Sequence, residues 1–538
     1  MKTVERVLVG VIGYSQSGKT TRIDSLLNYA SKNGVLLTRG VTKVFQTGTR
    51  FSRHFIPYSF LMRGRVKEVV VSTLDYTGHD HLGGYLTLNL IRRKLLESNE
   101  GRRSALDRLL FISEKIVEDM MVQGRGVEKK LLLGLLDKPL QLPGVREETI
   151  EEFRGKLCEI IMGRPCTTRE LKQVYTEVRD HVESIEGEYL GINELNKLLC
   201  RLESSEAYLP DCEKIGEEET IEVEPAGPLG YMKRTLITAP LLAYLLIGVM
   251  RKSVVLFIMA PSSVETVLEN ILHAYMVKRD IESQLIYLRG AFENSAKLLN
   301  VIADIANSSG RSIRADDIAP CLHGLAEEEA KRLGLPKGSI EILEKLVPLT
   351  SKKIYERFLE CAGENLGVEA EYLSKVLMNY VLEKYQVEMI TVLFDTLVLS
   401  LDYSKNIPLS TIVLDYTYSD KHNLPFDMLV EKSLHLDSPS SGFDTPALGP
   451  IRESLRRLVE TSRRVGRREP HIYAILSGYD EETGSSTILE YALLLCLLED
   501  AQATITLKNK DTKSTIALPC GVLLSRTRLH KDLLEKKG

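Results

Sequence analysis

Apolar residues at the start of the chain fall into short runs separated by a segment with helical spacing. Val7 to Ile12 (VLVGVI) is a run rich in β-branched residues, which is typical of a strand buried on both faces. Residues 20–29 (TTRIDSLLNY) place apolar side chains at helical intervals, and residues 66–74 (VKEVVVSTL) form a second strong apolar run. This order of strand, helix and strand predicts an α/β unit at the beginning of the chain.

The same kind of apolar run returns far along the chain, between long segments of helical periodicity. Further strands are predicted at Arg53 to Met62, Val254 to Ala260, Ser410 to Tyr416 and Ile472 to Leu476. Together these runs predict an α/β fold class: a mostly parallel six-stranded sheet with helices on both faces, interrupted by two large α-helical insertions.

This pattern divides the chain into successive segments. The α/β domain occupies residues 1–84, 235–279 and 406–500, the helical insertions occupy residues 85–234 and 280–405, and residues 501–538 form a tail. In the tail, Ala503 to Leu507 and Ser514 to Leu518 are predicted to form a hairpin. Within the first insertion, Thr167 and Glu170 have the spacing of a capping box ahead of a helix over Leu171 to Val182.

One stretch is apolar enough to raise the question of a membrane. Leu236 to Met250 (LITAPLLAYLLIGVM) is fifteen residues long, which is short for a membrane span. A buried helix that begins at Pro240 and leads into the strand at Val254 explains the same residues. We therefore predict no transmembrane segment.

A phosphate-binding loop follows the first strand. The sequence Gly13-Tyr14-Ser15-Gln16-Ser17-Gly18-Lys19-Thr20 matches every position of the P-loop motif and lies between a predicted strand and a predicted helix. Backbone N–H groups at a helix N-terminus attract phosphate, and this loop continues into Thr21. We expect Lys19 to contact the β- and γ-phosphates and Thr20 to bind Mg²⁺. The sheet is thus predicted to be of the P-loop NTPase type, with a nucleoside triphosphate as ligand.

Composition restricts the partners and the compartment. The 538 residues carry a formal net charge of −4, so no basic bias indicates nucleic acid. The eight cysteines show neither a CxxC pair nor zinc-ligand spacing, and they are predicted to be reduced thiols of a cytoplasmic protein. Glutamine is sparse while Lys, Arg and Glu are abundant, a composition compatible with a thermophile.

A second motif narrows the class of nucleotide protein. Asp75-Tyr76-Thr77-Gly78-His79 ends the apolar run at residues 66–74. With the phosphate loop, this motif resembles the GTPase domain of the translation-factor class. The resemblance implies that Asp75 holds Mg²⁺ through water, that the Gly78 N–H contacts the γ-phosphate, and that His79 positions the attacking water.

Weaker matches extend the resemblance along the chain. Arg39-Gly40-Val41-Thr42 resembles the first switch of these GTPases, which implies Thr42 as a further Mg²⁺ ligand, with Thr49 as the alternative. Asp420 stands where the family reads guanine, although Tyr418 replaces the usual Lys. Ser477 and Gly478 resemble the family's last guanine-contacting segment.

Three hypotheses for function follow from these motifs. The leading one is a cytoplasmic, Mg²⁺-dependent GTPase that acts as a switch, whose helical insertions engage a protein partner. The second is a nucleotide-binding scaffold with little hydrolysis, and the third is a P-loop ATPase or kinase. The resemblance covers only the interrupted α/β domain, because the C-terminal tail is too short for the β-barrel domains of a translation factor.

Overall fold

The computed structural model describes the chain in separate stretches. These are residues 4–13, 35–36, 50–51, 54–63, 68–76, 81–97, 102–143, 145–162, 165–216, 221–222, 227–253, 255–261, 388–401, 411–417, 449–466, 470–477, 479–480, 485–486, 504–508 and 515–521, with isolated positions at 19, 23, 27, 320–321, 323–325, 327–328, 331, 357, 360–364, 496 and 502.

Helices hold more of the described residues than strands do. The α-helices are α1 (His81–Glu97), α2 (Arg102–Val117), α3 (Lys129–Asp137), α4 (Glu147–Met162), α5 (Thr168–Ser184), α6 (Ile192–Glu203), α7 (Leu209–Cys212), α8 (Gly227–Lys252), α9 (Glu388–Leu401) and α10 (Gly449–Arg464). A π-helical turn, Glu118–Val122, extends α2, and a 3₁₀ turn, Glu206–Tyr208, precedes α7.

The strands are drawn from distant parts of the chain. They are β1 (Val4–Gly13), β2 (Val35–Leu36), β3 (Arg50–Phe51), β4 (Phe55–Arg63), β5 (Glu68–Tyr76), β6 (Val127–Glu128), β7 (Tyr189–Leu190), β8 (Ile221–Glu222), β9 (Val255–Pro261), β10 (Thr411–Thr417), β11 (His471–Ser477), β12 (Tyr479–Asp480), β13 (Ser485–Ser486), β14 (Thr504–Lys508) and β15 (Thr515–Pro519).

The main sheet has seven strands in the order β11-β10-β9-β1-β5-β4-β2. Neighbouring strands from β11 to β5 run parallel, whereas β4 is antiparallel to β5 and β2 is antiparallel to β4. The two halves of strand β1 pair with different neighbours: Val4 to Leu8 pair with β5, and Val9 to Gly13 pair with β9. The two halves of the sheet are therefore staggered along β1.

The predicted six-stranded sheet is wrong as a description of this molecule. The described residues are mainly helical, the main sheet has seven strands of which β4 alone runs opposite to the others, and four further two-stranded pairs lie outside it. The added strand, Val35–Leu36, is too short to show as an apolar run. The antiparallel direction of β4 depends on its connection to β5, which apolar periodicity does not encode.

Helix α8 is the centre of the helical part. It is long and apolar enough to cross a membrane, but 94% of its most apolar window is buried inside the protein. Contrary to the prediction, Pro240 does not begin this helix: α8 begins at Gly227 and Pro240 lies in its interior. The local cost of an interior proline is about 3 kcal/mol, which burial of many apolar side chains outweighs. The helix also crosses the predicted boundary between residues 234 and 235.

Close helix contacts around α8 depend on glycine. A Cβ atom at Gly83 of α1 would lie 2.6 Å from the Ala239 Cβ atom and 2.8 Å from the Thr235 Cγ2 atom. A Cβ atom at Gly248 of α8 would collide with the backbone carbonyl of Ser113 in α2. Buried residues of the helices and of β1, β4 and β5 form one continuous hydrophobic cluster, so the first insertion and the sheet share a core.

Two local predictions are confirmed. The Thr167 hydroxyl accepts a bond from the Glu170 N–H at 3.2 Å, and the Glu170 carboxylate accepts from the Thr167 N–H at 2.8 Å, which completes a capping box at the start of α5. The C-terminal hairpin is also present, with β14 antiparallel to β15.

The eight cysteines form four disulfides, which corrects the prediction of reduced thiols. The pairs are Cys158–Cys166, Cys200–Cys212, Cys321–Cys361 and Cys496–Cys520. Sequence spacing did not indicate them because no pair has a recognised motif spacing. Disulfides persist in oxidising compartments and also inside hyperthermophile cells.

Substitution of alanine for two mid-helix glycines should have opposite effects on stability. Gly248→Ala should lower the free energy of unfolding by about 1–3 kcal/mol, because its methyl group must displace the Ser113 backbone. Gly155→Ala in α4 is the matched control, since nothing lies within 4 Å of its Cβ position, and should raise that free energy by about 1 kcal/mol. Chemical denaturation measures both, and a stabilised Gly248→Ala protein would contradict the described packing of α2 on α8.

The disulfides predict the thiol count of the purified protein. Denatured without reductant, the chain should show no titratable thiol, and after reduction it should show eight. Replacing Cys200 and Cys212 together by serine should lower the free energy of unfolding by about 2–4 kcal/mol. Free thiols in the unreduced, denatured protein would show that the pairing is wrong.

Candidate functional site

The carboxyl ends of the parallel strands meet at one edge of the main sheet. The registers pair Gly13 of β1 with Met259 of β9, and Pro261 of β9 with Thr417 of β10. Thr417 is in turn paired with Ser477, the last residue of β11. Ligands of open α/β sheets bind at this edge, where the chain leaves the strands.

Lys19 and Asp75 come together at this edge, across β1 and β5. The Lys19 Nζ atom lies 2.6 Å from the Asp75 Oδ1 atom, and both residues are only 4% exposed. Lys19 belongs to a buried helical face with Ile23 and Leu27, as the sequence predicted for the segment after the phosphate loop. Two residues that the sequence assigned to phosphate and metal binding are therefore direct neighbours.

Tyr76 forms the remainder of the Lys19 environment. Its backbone carbonyl accepts a hydrogen bond from the Lys19 ammonium, and its ring centroid lies 4.2 Å from the Lys19 Nζ atom. The phenol donates to the Val11 carbonyl of β1 at 3.1 Å. Burial, followed by the adjacent Asp75 charge, raises the pKa of the Tyr76 phenol well above its ordinary value, so the hydroxyl remains a donor at all ordinary pH values.

These contacts offset the free-energy cost of burying the Lys19 ammonium group. A buried ammonium group is costly unless it is paired and hydrogen-bonded. Here a carboxylate, a carbonyl and an aromatic face together stabilise the Lys19 charge. The result is a buried ion pair at the carboxyl ends of β1 and β5, in which the Lys19 and Asp75 charges balance each other.

Sequence reasoning missed the residues on the far side of β4. The side-chain amide of Asn196, on α6, donates to the Phe55 carbonyl at 2.9 Å and accepts from the Phe55 N–H at 3.0 Å. Asn196 is completely buried. An asparagine in an amphipathic helix carries no sequence signal for such a contact, because its partner is 141 residues away.

A buried ionic cluster adjoins this contact. The Glu203 Oε1 atom lies 2.5 Å from the Arg234 Nη1 atom of α8, and its Oε2 atom lies 3.5 Å from the His54 Nε2 atom. Burial alone would raise the pKa of the Glu203 carboxyl, but the Arg234 charge and neighbouring His54 together lower that pKa to about 2. The guanidinium of Arg234 also lies over the Tyr231 ring, 4.4 Å from its centroid.

Much of the predicted site lies outside the described residues. This holds for Tyr14, Ser15, Gln16, Ser17, Gly18, Thr20, Thr21, Thr42, Thr49, Gly78, His79, Asp420 and Gly478. Gly13 is buried at the end of β1, and Ser477 is described by its backbone at the end of β11. Of the predicted Mg²⁺ ligands, Asp75 alone falls within the described part of the chain.

A metal site made of protein side chains alone is absent from the described stretches. Within those stretches, no group of three or more His, Cys, Asp or Glu residues could hold a metal ion. The Asp75 carboxylate is a ligand type that Mg²⁺ prefers, and Mg²⁺ in nucleotide sites is held by one or two carboxylates together with phosphate oxygens. A single carboxylate beside Lys19, the lysine of the predicted phosphate loop, is compatible with a metal that is bound together with a nucleotide.

Comparisons with known proteins add no assignment. No protein-family model matches the chain, and a search of curated proteins finds no match.

The Glu203 cluster predicts how stability depends on pH. Because the pKa of Glu203 falls from 4.5 to about 2 on folding, its contribution is complete above pH 4.5 and is lost as the pH falls through about 2. Glu203→Gln should cost about 3–5 kcal/mol at pH 7, since Arg234 would remain buried without its counter-ion. The difference in free energy of unfolding between the wild-type protein and Glu203→Gln should shrink as the pH falls from 4.5 to 2. Urea unfolding across this range measures it, and a constant difference would exclude Glu203 as the titrating group.

Proposed function

We propose that this protein binds GTP with Mg²⁺ and hydrolyses it to GDP and phosphate, acting as a nucleotide-dependent switch whose helical part engages a protein partner. The single observation that carries the proposal is the contact between Lys19 and Asp75 at the carboxyl ends of β1 and β5. The sequence predicted separate roles for these two residues, one toward phosphate and one toward metal.

The contact supports phosphoryl chemistry for a physical reason. Phosphoryl transfer requires a protein mainly to position the reactants and to neutralise charge on the transferred group. A triphosphate at this edge would be held by the N–H groups that follow Gly13 and by the Lys19 ammonium. Mg²⁺ would supply charge neutralisation between the β- and γ-phosphate oxygens, with Asp75 as its protein carboxylate.

The roles of the remaining residues come from the resemblance. In this proposal His79 orients the attacking water, Gly78 contacts the γ-phosphate, and Thr20 and Thr42 complete the metal ligands. Asp420 and Ser477 read guanine. A carboxylate at Asp420 would accept from the ring N–H and the amino group of guanine, a pair of donors that adenine lacks.

The switch part of the proposal depends on the shared core. Helix α1 begins at His81, shortly after the Gly78-His79 pair, and packs closely on α8 through Gly83. A segment whose conformation changes with the state of the γ-phosphate would therefore act on the helical part directly, through α1. This arrangement favours a protein partner that contacts the helices.

Removal of the Lys19 ammonium should abolish tight triphosphate binding. In calorimetric titrations with a non-hydrolysable GTP analogue and Mg²⁺, Lys19→Ala should lose about 100-fold in affinity, because a charge-assisted phosphate contact is lost. Lys156→Ala is the matched control: Lys156 is exposed on α4, pairs with Glu152 at 2.9 Å, and should leave affinity unchanged. Asp75→Asn should weaken binding mainly when Mg²⁺ is present.

The outcomes separate the three hypotheses. Wild-type affinity in Lys19→Ala would overturn the phosphate-site assignment. Binding of ATP as tight as that of GTP would overturn the guanine assignment and favour an ATPase. Tight GTP binding with negligible turnover would favour a scaffold, and transfer of the γ-phosphate to an acceptor other than water would favour a kinase.

A further inference from the structure

The first residue of strand β4 is hydrogen-bonded to a helix of the first helical insertion. The Asn196 amide bonds both backbone groups of Phe55, the first residue of β4, as a neighbouring strand would. Strand β2 pairs with the other end of β4, at Phe60 and Leu61. Asn196 therefore completes the edge of β4 beyond the point where β2 ends.

The opposite side of Phe55 faces the candidate nucleotide site. Phe55 is paired in register with Tyr76 of β5, and both side chains are buried. Because the two backbone groups of Phe55 point toward Asn196, Phe55 and Tyr76 form a non-hydrogen-bonded pair, in which side chains approach closely. Tyr76 in turn holds the Lys19 ammonium with its carbonyl and its ring.

The residue before Phe55 is held by the same helix. His54 lies 3.5 Å from Glu203, which is seven positions beyond Asn196 on α6 and therefore on the same helical face. Glu203 is fixed by its ion pair with Arg234 of α8. Two consecutive residues, His54 and Phe55, thus contact polar side chains from a single buried face of α6.

We propose that Asn196 and Glu203 are positioning residues for the nucleotide site, and this proposal rests on the function proposed above. Helix α6 fixes His54 and Phe55, Phe55 fixes Tyr76, and Tyr76 fixes the Lys19 ammonium beside Asp75. Neither Asn196 nor Glu203 touches the nucleotide. Coupling between two sites is reciprocal, so nucleotide binding should in turn stabilise α6.

The physical basis is the cost of an unpaired polar group. Without the Asn196 amide, the Phe55 N–H and carbonyl would be buried with neither hydrogen bond, a state that favours displacement of the strand end. Displacement of Phe55 removes the close neighbour of the Tyr76 ring, and the carbonyl and ring that order Lys19 shift with it.

Nucleotide affinity of Asn196→Ala tests this coupling. We expect about tenfold weaker binding of the GTP analogue, within the usual range of coupling between sites. Leu157→Ala is the control for general loss of stability, because Leu157 is fully buried in α4 and its truncation should cost about 2–5 kcal/mol. Equal effects of the two substitutions on affinity, at temperatures where both proteins are folded, would overturn the proposal.

Hydrogen exchange tests the reciprocal effect. Addition of the analogue with Mg²⁺ should slow amide exchange over residues 192–203 in the wild-type protein and in Leu157→Ala, but not in Asn196→Ala. Unchanged exchange in the wild-type helix at saturating analogue would exclude the coupling even if the analogue binds.

A third measurement does not depend on nucleotide. The rate at which an amine-reactive acetylating reagent modifies Lys19, followed by mass spectrometry, reports how well its ammonium is held. This rate should rise severalfold in Asn196→Ala and stay unchanged in Leu157→Ala. If the wild-type protein binds no triphosphate while the Lys19 rate rises as expected, the proposed function fails but the positioning role stands; an unchanged rate overturns the positioning role.

Discussion

The arrangement of the described residues depends on the need to bury helix α8. Twenty-six residues with an almost wholly apolar middle cannot remain in water, and no single neighbouring element can cover a cylinder of that length. Helices α1 to α6 and α9 surround it, and glycines in α1 and α8 allow the closest of these contacts. The last turn of α8 then leads into β9, beside β1. Covering one helix therefore determines where the helical part meets the sheet.

The candidate site lies at the carboxyl ends of β1 and β5, shortly before α1, the helix that packs on α8 through Gly83. Lys19 is buried close to the shared core, so its charge must be balanced by groups on neighbouring elements. Asp75 and Tyr76 supply this balance from β5, and Phe55 supports Tyr76 from β4. The polar groups on α6 that hold β4 belong to the same system, since each would be costly to bury alone. A site that combines charge with burial is stable only when several elements are placed together.

The sequence predicted features that depend on local pattern or on a motif. The strand cores at β1, β5, β10 and β11, the capping box at Thr167 and the C-terminal hairpin are examples. The two motifs predicted roles for Lys19 and Asp75 at one ligand, but not the direct ion pair between them. The start of α8 was misplaced because a proline that usually begins a helix was accommodated inside one by tertiary packing. The Asn196 and Glu203 contacts were missed because each depends on a partner far away in the chain.

The disulfides have a consequence for how the chain is made. Eight cysteines allow about 105 complete pairings, and here each cysteine is joined to the next one in the sequence. The separations within pairs are 8, 12, 40 and 24 residues. When each pair is oxidised as the chain leaves the ribosome, every second cysteine therefore finds its native partner as the only unpaired cysteine synthesised before it. Oxidation that keeps pace with synthesis produces the native set in order, without a step in which wrong bonds must be exchanged.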